Sequence, residues 1–69
     1  RRKEFLNYYI GMPVEVLFEE QVELDGRKYW TGHGREYQKI LLADTRDLTN
    51  QMMVVTPQAL VSEEYLLAV

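Results

Sequence analysis

Between Arg27 and Lys39 the rings of Tyr29, Trp30, His33 and Tyr37 stand among the cations Arg27, Lys28, Arg35 and Lys39. That mixture suits one chemistry above others. Unpaired bases stack on aromatic faces while a few Lys and Arg side chains hold the phosphates, and each stack is worth ~1–3 kcal/mol. The candidate binding residues are therefore Arg27, Lys28, Tyr29, His33, Arg35, Tyr37 and Lys39. Strand alternation sends Tyr29 and Trp30 to opposite faces, with Trp30 the expected buried ring and Tyr29 partly exposed. The competing reading makes Trp30 and Tyr37 filling for a small core, and Arg35 and Lys39 an ordinary solvated face.

Other chemistries find poorer support. His33 is the only histidine and there is no cysteine, so a metal centre or iron–sulfur cluster is not expected in this chain. Ser62 and His33 show no spacing that would make a nucleophile and its base. No glycine-rich phosphate loop is present. No catalytic residue is assigned. Glu15, Glu19, Glu20 and Glu23 read as a solvated strand face, or as carboxylates that repel RNA from one side and so orient it. Met52 and Met53 read as core filling.

The elements that must position these residues begin with a hairpin over Val14 to His33. Val14, Val16 and Phe18 sit on one side of a period-two pattern with Glu15 and Glu19 on the other, and Asp25-Gly26 is a two-residue turn signal. Folding about that turn sets Val22 opposite Tyr29, Glu23 opposite Lys28 and Gln21 opposite Trp30. The Glu23–Lys28 pair supports that register, and a one-residue slip would turn the apolar set outward. Before the hairpin, Phe5, Tyr8 and Tyr9 have the spacing of a short helical turn, and Gly11 and Pro13 end it. Arg1, Arg2 and Lys3 read as a solvated cationic terminus. After the hairpin, the glycines around His33 mark a bend or bulge with a close backbone approach. Strands are expected over Tyr37 to Ala43, with Ile40 and Leu42 on one face, over Gln51 to Thr56, and over Tyr65 to Val69. Asp44 to Asn50 is a turn-rich connection whose Leu48 plugs the core, and Pro57 belongs at an edge, a bulge or a strand end.

The chain has 69 residues and a hydrophobic fraction of 46%, enough for one small domain. Five strands without a long helix point to an all-β fold, a small five-stranded antiparallel barrel of OB-like or SH3-like kind. The expected organisation is a tail of a preceding linker or helix over residues 1–10 and the barrel over 11–69. No apolar run is long enough to span a bilayer, and a cytoplasmic, monomeric fragment of something longer fits best. The net charge of −3 argues against strong indiscriminate nucleic-acid binding.

Ile10-Gly11-Met12-Pro13-Val14-Glu15-Val16-Leu17-Phe18-Glu19-Glu20 resembles the opening of a TRAM domain. Tyr29-Trp30-Thr31-Gly32-His33, Tyr37, Asp47-Leu48 and Glu64-Tyr65-Leu66-Leu67 follow in the order found in the C-terminal TRAM domain of the MiaB-like tRNA methylthiotransferases. Among these the chain looks most similar to the branch acting on threonylcarbamoyladenosine.

The resemblance implies a barrel that positions tRNA, through its anticodon stem-loop, for methylthiolation of a modified adenosine by upstream radical-SAM and methylthiotransferase domains. It also implies two 4Fe–4S clusters and S-adenosylmethionine in those upstream domains, and no cofactor here. Another branch of the family holds a protein instead. Two hypotheses follow. An RNA-binding module should gather Arg27, Lys28, Arg35 and Lys39 into one patch. A docking module, holding a protein substrate or its own catalytic domain, should expose an apolar patch around Phe5, Tyr8 and Tyr9.

Overall fold

A computed structural model describes residues 2–69, without the side chain of Arg2, so the reading of Arg1 and Arg2 as a solvated terminus lies outside the described residues. A short helix, α1 (Arg2–Asn7), precedes six strands: β1 (Val14–Leu24), β2 (Arg27–His33), β3 (Lys39–Leu42), β4 (Gln51–Val55), β5 (Pro57–Leu60) and β6 (Leu66–Ala68). They form one sheet in the order β4-β1-β2-β3-β6-β5. The fold is all-β and barrel-like.

The β1–β2 hairpin has the expected register, with Gln21, Val22 and Glu23 opposite Trp30, Tyr29 and Lys28. Asp25 and Gly26 turn it at φ of 51° and 78°, the positive pair of a type I′ turn. The irregularity expected near His33 lies across the ladder, in β1, where the pairing shifts between Phe18 and Glu20 and leaves Glu19 as the extra residue. Gly32 supplies the close approach. A Cβ there would lie 2.7 Å from the Leu17 carbonyl carbon and 2.8 Å from the Phe18 Cα.

The strand count and directions differ from expectation. Thr56 ends pairing with β1, and Pro57–Leu60 becomes a separate strand on β6, so there are six strands and not five. The barrel is also not purely antiparallel, because β3 and β6 run parallel. Parallel neighbours need a long crossover. Here β4 and β5 supply it on their way around the barrel. Pro57 opens an edge strand beside a register shift, which spares the sheet its missing N–H. The third strand is shorter than the expected Tyr37–Ala43, because Tyr37 turns at φ 69°.

The core joins Val16, Phe18, Trp30, Ile40, Leu42, Leu48 and Leu66. Leu48 plugs it from the turn-rich connection, as expected. Leu41, on the other face of β3, is nonetheless fully buried. Met53 packs partly against the core, but Met52 is 57% exposed and is not core filling, because its partner Leu17 lies on the outer face of β1. Leu6 of α1 is fully buried in the same core, with Phe5 and Tyr9 packed against it. Asp44 steers the connection: its carboxylate accepts bonds from the backbone and guanidinium N–H groups of Arg46 at 2.6–3.0 Å. The Arg46 side chain first, and its backbone N–H second, hold the Asp44 carboxyl at a pKa of about 2.

Two outcomes follow. Gly32→Ala should lower stability by about 2–4 kcal/mol, read by urea denaturation, because backbone and not a flexible side chain must give way. The carbon shift of the Asp44 carboxyl should titrate near pH 2; its contribution to stability is present above the ordinary Asp range and lost as pH falls through about 2.

Candidate nucleic-acid interface

The loop between β2 and β3 is built on one buried polar side chain. Gln38 is only 3% exposed, and its Oε1 accepts the Glu36 N–H at 3.0 Å. Gly34 N–H donates to the Gln38 carbonyl at 2.9 Å, and Tyr37 N–H donates to the Gly34 carbonyl at 3.1 Å. Gly34 is packed so closely that a Cβ would meet the Gln38 side chain and the Val14 Cγ1. The Tyr9 hydroxyl donates to the Glu36 carboxylate and ties the segment after α1 to this loop. That bond, and burial second, raise the Tyr9 phenol above its ordinary pKa.

The loop holds Tyr37 at φ 69°, and the residue is 77% exposed. A bulky L-residue in the left-handed region costs ~1–2 kcal/mol, and such positions persist where the surroundings fix them. Arg35, two residues before, is exposed; Lys39, two residues after, is half-buried. The Lys39 Nζ lies 4.0 Å from the Glu64 carboxylate and 5.9 Å from the centroid of the Tyr65 ring. His33 pairs with Lys39 across the β2–β3 ladder, and its Nδ1 is 3.6 Å from the Glu19 carboxylate. Arg35 and Glu15 separate two shallow grooves of about 480 and 460 Å³, the first reaching His33 and Met52, the second Tyr9 and Met12.

The candidates therefore divide. His33, Arg35, Tyr37 and Lys39 share one end of β2. Arg27 and Lys28 sit at the hairpin tip, roughly 20 Å away at ~3.3 Å per strand residue. Lys28 stands opposite Glu23, and half-exposed Tyr29 faces Val22. The four cations form no single patch; carboxylates are interleaved with them. Trp30 is buried, as expected, and among the described residues its Nε1 has no hydrogen-bond partner. The apolar patch expected of a docking module is also reduced, because Phe5 and Tyr9 turn to the core and only Tyr8 stays largely exposed.

Gln38 and Glu36 were missed as organisers of the loop. The available signal was parity: Gln38 shares the inward phase of Ile40 and Leu42, and a polar residue at an inward position must find a buried bond.

Among the described residues no group of three His, Cys, Asp or Glu could hold a metal ion, and no helix is long and apolar enough to cross a membrane. Without cysteine the chain offers no thiolate to an iron–sulfur cluster.

Tyr37→Gly should raise stability by about 0.5–1 kcal/mol in thermal denaturation, since glycine relieves the left-handed strain and the exposed ring contributes little packing. A fall would mean that the ring supports the loop.

No protein-family model matches the chain, and no curated protein or solved structure matches it.

Proposed function

We propose that this chain is a TRAM-like accessory domain that holds a tRNA anticodon stem-loop against radical-SAM and methylthiotransferase domains of the same protein. The observation that carries the reading is Tyr37, an exposed ring fixed in a strained conformation between Arg35 and Lys39. In this role Tyr37 stacks on an unpaired base of the loop, and Arg35 and Lys39 contact the flanking phosphates. His33 lies close enough in the ladder to join them. Arg27, Lys28 and Tyr29, at the hairpin tip, stand apart from this contact. The carboxylates around this end limit how the RNA can approach.

The chain itself performs no chemistry in this reading. Methylthiolation of the modified adenosine beside the anticodon, the two 4Fe–4S clusters and S-adenosylmethionine belong to the upstream domains, in a cytoplasmic enzyme. A net charge of −3 gives weak intrinsic affinity. Tethering compensates, because a linked module meets its substrate at effective concentrations that reach millimolar.

The test is an NMR titration of the chain with an anticodon stem-loop at two salt concentrations. Shifts at Arg35, Tyr37 and Lys39 that weaken with salt are expected, and Tyr37→Ala should cost ~1–3 kcal/mol of binding. Shifts confined to Arg27 and Lys28 would move the contact to the hairpin tip. No shifts at millimolar RNA would remove RNA binding as an activity of this domain.

A further inference from the structure

The two edges of the sheet are treated differently. At β5, Pro57 and a register shift interrupt the edge, α1 packs against the strand, and the Gly11 N–H donates to the Pro57 carbonyl at 2.9 Å. These are the devices by which edge strands avoid unwanted pairing. β4, Gln-Met-Met-Val-Val, has none of them: no charge, no proline and no shift in its register with β1. An edge strand presents alternate N–H and C=O groups outward, and an apolar, uncharged one is a template for a further strand.

We propose that the free edge of β4 receives an extended, basic segment of a partner protein as an added strand. The outer face beside that edge selects the partner's chemistry. Met52 and Val54 are 57% and 65% exposed and stand opposite Leu17 and Glu15 of β1. Glu20 continues the carboxylates along the same face, and the bulge adds Glu19. Of the three, Glu19 has the His33 imidazole as a neighbour, and Arg35 lines the groove that Glu15 and Glu19 share with Met52, which leaves Glu20 as the carboxylate outside that groove. An added strand lies ~10 Å from β1, two strand spacings away. An Arg or Lys on it can lay its aliphatic stem over Met52 or Val54 and bring its charge to Glu15 or Glu20.

RNA is disfavoured here by the carboxylates. A second copy is disfavoured because pairing two β4 edges brings two anionic faces together, and a five-residue strand buries little of the ~1,200 Å² that stable interfaces need. The surface adjoins the Arg35–Tyr37–Lys39 end, because Arg35 lines the same groove as Glu15, Glu19 and Met52, but the added strand pairs with β4 and needs neither Tyr37 nor Lys39.

The experiment titrates the chain with two capped peptides, Lys-Val-Arg-Val-Lys-Val and Glu-Val-Glu-Val-Glu-Val, followed by amide NMR and hydrogen exchange. The basic peptide should shift and protect amides over residues 51–55, and the acidic one should not. Glu15→Lys combined with Glu20→Lys should weaken the basic peptide about tenfold. Val54→Lys, at an exposed position that leaves the core untouched, should weaken it too. Equal response to both peptides, no response at millimolar basic peptide, or shifts that avoid β4 would overturn the proposal. So would β4 shifts that grow with protein concentration alone, which would mark a second copy, or protection of the β4 amides from hydrogen exchange by stem-loop RNA.

Discussion

Thr56 joins the two edges of the sheet. β4 ends at Val55 and β5 begins at Pro57, yet in the ladder they stand at opposite ends of six strands. Laid flat, those edges would be roughly 24 Å apart at ~4.8 Å per strand. Two residue steps of chain reach only ~7 Å. The sheet therefore has to curl until its edges meet at this point. Curling turns one face into an interior, where Val16, Phe18, Ile40 and Leu66 become fully buried. It leaves the opening that Leu6 helps fill from α1. The close approach at Gly32, on which β1 and β2 bend around Phe18, belongs to the same curvature.

Much of this was readable from residue order, and the reasons separate by range. The β1–β2 hairpin is local: a turn signal, an alternation and one opposed ion pair agree, so its register could be derived residue by residue. Leu48 was readable as a plug because it is the one aliphatic residue in a polar run. What could not be read was which distant strands pair and in which direction. β3 and β6 are both short apolar runs, and nothing in their alternation distinguishes a parallel neighbour from an antiparallel one. The split at Thr56 was hidden because an extended chain that changes partner stays extended. At the candidate site, residue types were visible but their distribution was not. Arg27 and Lys28 are near Arg35 in sequence, yet a strand separates them by its whole length, whereas the loop after β2 keeps Arg35, Tyr37 and Lys39 together.

The loop and the β4 edge are two different answers to the same difficulty, a domain too small to spare surface. The loop builds a rigid display from a buried amide, a packed glycine and a hydroxyl from the segment after α1. Its cost is strain at Tyr37, offset by the bonds of Gln38, of the loop backbone and of the Tyr9 hydroxyl. The edge is the reverse: regular strand geometry with nothing added. Each of Lys28, His33 and Lys39 has a carboxylate as a neighbour, so positive charge alone does not define a face of this molecule. Ring placement and strand pairing do.

The hairpin is longer than the sheet that holds it. β1 pairs with β4 only from Val14 to Phe18, while its ladder with β2 continues to Leu24. The outer part of the hairpin is thus an arm whose length is independent of the core. Adding two residues to each side would extend it by ~7 Å and keep every side chain on its present face. Adding one to each would exchange the faces of everything beyond the insertion. Such an arm can change its reach by even steps while the barrel beneath it stays the same.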